Sequence, residues 1–140
     1  MRVLGIDYGR KRIGLARSDE GAILASPLPV YTRSGSDADD LDRLVHLISG
    51  QDVARIVIGW PLHMNGTEGE MAGEVRALAR ELQTRTGLPV DLFDERWTST
   101  QAEDVLIAGD VSRRRRRNLR DGLAATLILQ GFLDRERTAE

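Results

Sequence analysis

Two short apolar runs near the start of the chain restrict its fold more than any other feature. Val3, Leu4 and Ile6 belong to the first, and Ile13 and Leu15, two residues apart, to the second; only Tyr8-Gly9-Arg10-Lys11 lies between them. The runs read as strands over Arg2–Asp7 and Arg12–Ser18. So short a link cannot hold a crossover, so the two strands must form an antiparallel hairpin. A third extended segment lies within Ala22–Thr32. Pro27 and Pro29 have no backbone N–H to give a ladder, which predicts an edge strand or an irregular one.

The periodicity then changes. Leu41, Leu44, Val45 and Ile48 have helical spacing behind an acidic start at Asp37, Asp39 and Asp40, and Gly50 is a natural stop. Arg55 to Gly59 is a short apolar run (Ile56, Val57, Ile58) bounded by Gly59 and Pro61, as in a strand buried on both faces. Met71, Val75, Leu78 and Leu82 mark a second helix, preceded by Glu68 and Glu70 and ending near Gly87-Leu88-Pro89. Val90 to Phe93 reads as a fifth strand. A short helix over Thr98–Ala108 carries two candidate capping boxes, Thr98 with Gln101 and Thr100 with Glu103, and stops at Gly109. The last helix is expected from about Asn118 to Asp134. Its uncharged stretch Leu123–Leu129 predicts extensive burial, and residues 135–140 should fray. Three consecutive strands followed by helix–strand alternation give an α/β fold. Its mixed five-stranded sheet has the first three strands antiparallel and helices on its faces, the layout of a ribonuclease H-like domain.

Composition removes several functional classes. The 140 residues suit one domain, expected to span 1–140. With no cysteine there are no disulfides, thiolate metal sites or cysteine nucleophiles. The 20 basic and 22 acidic residues leave a formal charge of −2, so overall charge does not announce a nucleic-acid binder. No apolar run approaches a membrane span and no signal-peptide stretch is seen, so a cytoplasmic enzyme or binding domain is expected. Lys11 is the only lysine; every other base is an arginine, suited to bidentate contact with carboxylate or phosphate.

Five clusters could carry chemistry. Asp7, in Gly5-Ile6-Asp7-Tyr8-Gly9, falls at a strand end where Gly9 lets the chain turn. A carboxylate there can reach a metal or phosphate with little steric cover, although an aspartate can equally serve the turn itself. Asp94-Glu95-Arg96 follows the fifth strand. Neighbouring strand residues face opposite ways, so one acid should face the site and the other support it. Asp121 shares a helical stripe with Ala125, Ile128 and Phe132, where an unpaired acid costs several kcal/mol. If Asn118 caps the helix, however, Asp121 sits in the first turn, where an acid is favourable by about 0.3–1 kcal/mol. Arg113, Arg114, Arg115, Arg116 and Arg117, with Arg120, make a local positive field. The run reads as a loop leading into the last helix, able to neutralise several phosphates or simply to be solvated. In Gly59-Trp60-Pro61-Leu62-His63-Met64-Asn65-Gly66, Asn65 and Gly66 could approach a substrate backbone. Trp60 could stack on it or serve as a core or lid residue. His63 has no visible partner and His46 reads as structural. There is no Walker-type lysine loop, no histidine pair at metal-ligand spacing and no Gly-x-Ser-x-Gly elbow. Three acids at separate element ends remain, a donor set for hard divalent cations of the kind that hydrolyse phosphodiesters.

Taken together, these motifs resemble the YqgF family, also called RuvX, of the ribonuclease H-like superfamily, over Arg2 to Leu133. The likeness rests on Gly5-Ile6-Asp7-Tyr8-Gly9 with Arg12-Ile13-Gly14, on Gly59-x-Pro61 with Asn65-Gly66, on Asp94-Glu95-Arg96 with Thr98, and on Asp121 with Leu123-Ala124-Ala125. The resemblance implies a nuclease dependent on Mg²⁺ or Mn²⁺, acting in maturation of small-subunit ribosomal RNA, in Holliday junction resolution, or in both. The family's acidic triad falls on Asp7, Glu95 and Asp121. Lys11, Arg12, Asn65, Arg96 and Arg113–Arg117 are then expected to bind nucleic acid (RNA or branched DNA), with Gly9, Asp94 and Thr98 in support. The protein would be a monomer or homodimer. Two other classes remain open: a nucleic-acid-binding module without catalysis, and an actin-like phosphotransferase, which shares the Gly-Ile-Asp-x-Gly turn but uses two such domains.

Overall fold

A computed structural model describes residues 1–61, 65–94 and 113–139, the stretch 113–121 and residue 139 in their backbone. The chain runs β1 (Val3–Asp7), β2 (Arg12–Ser18), β3 (Ala25–Thr32), α1 (Asp37–Ser49), β4 (Arg55–Trp60), α2 (Glu70–Thr86), β5 (Val90–Asp94) and α3 (Arg113–Ala139). The expected helix over Thr98–Ala108, with its capping boxes, lies outside the described residues.

The five strands form one sheet in the order β3-β2-β1-β4-β5. β1 pairs antiparallel with β2, and β2 with β3. β1 and β4, and β4 and β5, pair parallel. The hairpin and the two crossovers thus stand as the sequence pattern requires, and the proline-bearing β3 is an edge. That strand occupies Ala25–Thr32, within the expected segment. Ala22 takes a left-handed φ of 55°, and Asp19 Oδ1 accepts from the N–H groups of Ile23 and Leu24, closing a turn before pairing resumes. α1 is capped by Ser36, whose side chain accepts from the Asp39 N–H. α2 ends at Gly87, left-handed at φ 73°.

Side-chain alternation divides the sheet into two faces. Leu4, Ile6, Ile13, Leu15, Ile56 and Ile58 pack with Leu44 and Ile48 of α1 and Val75 and Leu82 of α2. Val3, Ala16 and Val57 pack on the other face with Ala125, Leu129, Phe132 and Leu133 of α3. β4 is buried on both faces: Ile56, Val57 and Ile58 are each 0% exposed.

α3 differs from expectation in three ways. It begins at Arg113, not near Asn118, so the arginine run is helical rather than a loop. Arginine is a good helix former and neither Gly nor Pro interrupts 113–121. Asp121 consequently lies beyond the first turn, which removes the capping explanation for it. The helix also continues past Asp134 to Ala139. Asp134 pairs with Arg137, its carbonyl accepts from Thr138 Oγ1, and Glu136 pairs with Arg55. Finally, burial of Leu123–Leu129 is one-sided. Ala125, Ile128 and Leu129 are buried, whereas Leu123, Ala124, Thr126 and Leu127 are half-buried, because the helix crosses a single sheet face.

Candidate active site at the edge of the parallel strands

β1, β4 and β5 run the same way, so Asp7, Trp60 and Asp94 end at one edge of the sheet. The carboxyl edge of parallel strands is where α/β sheets present ligands. Asp7 alternates with Val3 and Gly5 and therefore belongs to the α3 face. Its partner on β2 is Gly14, and on the β4 side Gly59 follows Ile58, the partner of Ile6. On that face Asp7 is flanked by glycines along the strand and across both neighbours, which leaves room around the carboxylate. The turn just beyond is equally tight. A Cβ on Gly9 would stand 2.4 Å from the Arg12 carbonyl oxygen, so only glycine fits.

α3 lies directly on β1. A Cβ on Gly5 would meet Leu129 Cβ at 2.7 Å and the Ala125 carbonyl oxygen at 3.2 Å. The helix descends towards the strand starts. Gln130 Nε2 donates to the Ile23 carbonyl and its Oε1 accepts from the Ala25 N–H, both at 2.9 Å, and Glu136 reaches Arg55 at the start of β4. Its preceding turns therefore rise to the edge that carries Asp7. Asp121, one turn before Ala125, is about 6 Å further up the helix, and Asp7 is about 6.6 Å beyond Gly5 along β1. The turns of α3 that carry Asp121 thus lead towards the sheet edge where Asp7 ends β1. Arg113 to Arg117 form the turns of α3 that precede Asp121.

Asp94 is placed differently. It alternates with Val90 and Leu92, which pack in the α1/α2 core, while Phe93 packs against Phe132 on the α3 face. Asp94 therefore belongs to the face opposite Asp7. Glu95, Arg96, Thr98 and His63 lie outside the described residues. Among the described side chains no three acids or histidines converge. Lys11 is exposed on the β1–β2 turn and Arg12 opens β2. Asn65 is exposed, and its Oδ1 accepts from the N–H and Oγ1 of Thr67 at 3.0 and 2.6 Å, which commits that oxygen to the loop's own turn. Trp60 is half-buried and packs in the α1/α2 layer with the Arg76 guanidinium 4.8 Å from its ring centroid. His46 is exposed on α1.

One cluster beside the site escaped the sequence reading. The Arg33 guanidinium donates to Tyr8 Oη at 2.9 Å, the Gly9 carbonyl at 3.1 Å, Asp40 Oδ2 at 3.0 Å and Asp37 Oδ1 at 2.6 Å. Asp40, 3% exposed, also accepts from Tyr31 Oη at 2.6 Å and from the N–H and Oγ of Ser34 at 2.9 and 3.0 Å. Burial alone would raise the Asp40 pKa; the hydrogen bonds from Tyr31, Ser34 and Arg33 outweigh it and hold the carboxyl well below its ordinary range. Burial raises the Tyr8 pKa, with Arg33 opposing. The available signal was an arginine four and seven residues ahead of two acids at a helix start.

The fold is that of a resolvase-like α/β nuclease domain. T. thermophilus RuvC in complex with Holliday junction substrate superposes with a TM-score of 0.61 at 21% identity, over 99% of this chain and 98% of that one. The Fowlpox virus resolvase bound to Holliday junction DNA superposes at 0.65 and 9% identity, over 97% and 99%. The family model described as "RuvX: Holliday junction resolvase" matches residues 1–135, and the chain belongs to the RuvX family. Relatives named "Putative pre-16S rRNA nuclease" include those of Carboxydothermus hydrogenoformans, 46% identical over 96% of both chains, and Moorella thermoacetica, 48% identical over 96% of both. Among the described residues no helix is long and apolar enough to cross a membrane.

Proposed function

We propose that residues 1–140 act as one cytoplasmic ribonuclease H-like domain that hydrolyses phosphodiester bonds in the precursor of small-subunit ribosomal RNA. What supports this reading is the course of α3, whose turns before Ala125 rise towards the strand end that carries Asp7, in a chain of the RuvX family. Asp94 belongs to the opposite face, which favours its neighbour Glu95 as the third acid and gives Asp94 the supporting role. Nucleases of this fold are in general divalent-metal dependent, and an all-oxygen donor set beside glycine-flanked Asp7 fits a hard cation, Mg²⁺ or Mn²⁺. Asp7, Glu95 and Asp121 would hold it. When bound, such an ion supplies Lewis-acid polarisation of the phosphate and a water of lowered pKa.

The remaining work falls to the chain itself. Those of Arg113 to Arg117 that share the Asp121 side of the helix would bind backbone phosphates, as would Lys11, Arg12 and Arg96. Asn65 would contact the strand through its amide N–H₂. Such contacts position a strand without reading its sequence, so selection rests on shape and strandedness. Resolution of branched DNA is the second reading, favoured by the family description and the resolvase fold. It would call for a symmetric homodimer cutting two strands, whereas RNA trimming needs only a monomer.

The test is cleavage of single-stranded precursor RNA, single-stranded DNA and a four-way junction, with Mg²⁺, Mn²⁺ or chelator, by the wild type and Asp7→Asn. We expect RNA cleavage that chelator abolishes. Asp7→Asn should fold normally and lose several kcal/mol of catalysis, roughly a hundredfold or more in rate. Cleavage by Asp7→Asn at the wild-type rate would overturn the site. Junction cleavage without RNA cleavage would transfer the assignment to the second reading.

A further inference from the structure

Resting on the site proposed above, we infer that Arg33 is a positioning residue that sets the orientation of Asp7 from the opposite face of the sheet. Asp7 closes β1 on the α3 face, and Tyr8, the next residue, turns to the other side of the sheet. Tyr8 packs in the α1/α2 layer with the Arg33 guanidinium 5.1 Å from its ring centroid. One terminal nitrogen of Arg33 holds both the Tyr8 hydroxyl and the Gly9 carbonyl, and the Arg33 N–H donates to the Lys11 carbonyl at 2.9 Å. Three successive anchor points across the turn, Tyr8, Gly9 and Lys11, are thus tied to one residue.

That residue is in turn fixed to α1. Its Nε donates to Asp40 and its other terminal nitrogen to Asp37. The side chains of Arg33 and Asp40 are only 10% and 4% exposed, so solvent does not loosen the pair. Glu74 of α2 adds a second brace, accepting from Tyr8 Oη at 3.4 Å and from Arg10 at 3.0 Å. The turn has no slack of its own, because a side chain at Gly9 would strike Arg12. Fixing Tyr8 therefore fixes the pleat at the strand end, and with it the direction in which Asp7 projects on the α3 face. A planar guanidinium can serve the turn and the helix at once; an ammonium is a single point and cannot.

The test compares Arg33→Lys and Tyr8→Phe with wild type and with Asp7→Asn, reading the Mn²⁺ midpoint by calorimetric titration together with kcat and KM for RNA cleavage. Removing a support of this kind costs roughly tenfold or more in metal affinity or rate. We expect Arg33→Lys to raise the Mn²⁺ midpoint and lower kcat by that order with KM unchanged. Tyr8→Phe, which leaves the Arg33–Asp40 pair intact, should shift both the same way by a smaller factor. A purely structural role would lower the melting temperature and move neither quantity in the folded protein. Wild-type midpoints and kcat in folded variants, with Asp7→Asn inactive, would overturn the role of Arg33. If Arg33→Lys does not fold, Tyr8→Phe decides alone. An active Asp7→Asn would instead overturn the site on which the inference stands.

Discussion

The two faces of the sheet are built from different residues. Beneath α1 and α2 the strands present Leu4, Ile6, Ile13, Leu15, Ile56 and Ile58, a thick layer of branched side chains. Beneath α3 the same strands present Val3, Gly5, Gly14, Ala16, Val57 and Gly59, and α3 answers with Ala125 and Leu129. Bulk on the first face removes apolar area from water and supplies most of the stability. Small residues on the second let a helix approach β1 closely and leave space around Asp7. A single sheet thus serves as a stability layer on one side and a frame for acids on the other. The difference puts most of the bulky packing on one side and the acids on the other, with the Arg33–Tyr8 brace linking the two.

The largest effect should come from emptying the bulky face. Ile58 is 0% exposed and sits one strand away from Ile6, also 0% exposed. Ile58→Ala should destabilise by about 2–5 kcal/mol, measured by urea denaturation. In the fraction that remains folded, the metal midpoint should match wild type. A changed midpoint with unchanged stability would show that the two faces do not divide the labour in this way.

The bulky face was largely legible in the sequence, because its signal is periodicity. Val3 to Ile6, Ile13 and Leu15, Ile56 to Ile58, Leu41 to Ile48 and Met71 to Leu82 each carry their own pattern, and β1, β2, β4 and both early helices follow from them. The α3 face was less legible. A glycine in a strand signals a close approach without saying what approaches, and only the 2.7 Å separation from Leu129 explains Gly5. Asp7 and Asp121 stood out as candidates because an acid at a strand end, or on an apolar helical stripe, conflicts with its local pattern. The start of α3 was misplaced because a run of like charges reads as a loop, whereas arginine's helix propensity and the packing of the downstream turns favour helix. The Arg33 cluster joins residues on a turn, a strand end and two helices, and no local pattern announces such a set.

A smaller effect tests the opposite face. Gly5→Ala places a Cβ against Leu129 Cβ and the Ala125 carbonyl, neither of which is the far end of a flexible chain, so α3 must shift. Overpacking of this kind costs about 1–3 kcal/mol. The shift moves the helix that carries Asp121 relative to the strand that carries Asp7. Gly5→Ala should therefore lose more cleavage than Ile58→Ala while losing less stability. The reverse ranking, with denaturation and cleavage measured on the same preparations, would break the comparison between the faces.

The last effect concerns Asp40, buried on the bulky side. Asp40 has a native pKa below its unfolded value, because the hydrogen bonds from Tyr31, Ser34 and Arg33 overcome its burial. A depressed carboxyl contributes stability that is fully present above the unfolded pKa of about 3.9 and is lost as pH falls towards the native value. With one proton at stake, the slope is at most about 1.4 kcal/mol per pH unit. Wild-type stability should therefore fall more steeply than that of Asp40→Asn between pH 5 and 2, with the two parallel above pH 6, when followed by denaturant titration at each pH. Parallel curves throughout the acid range would mean that the Arg33–Asp40 pair is not held in solution as it is in the structure. The brace on Tyr8 would lose its anchor on α1, and the bulky face would contribute packing alone.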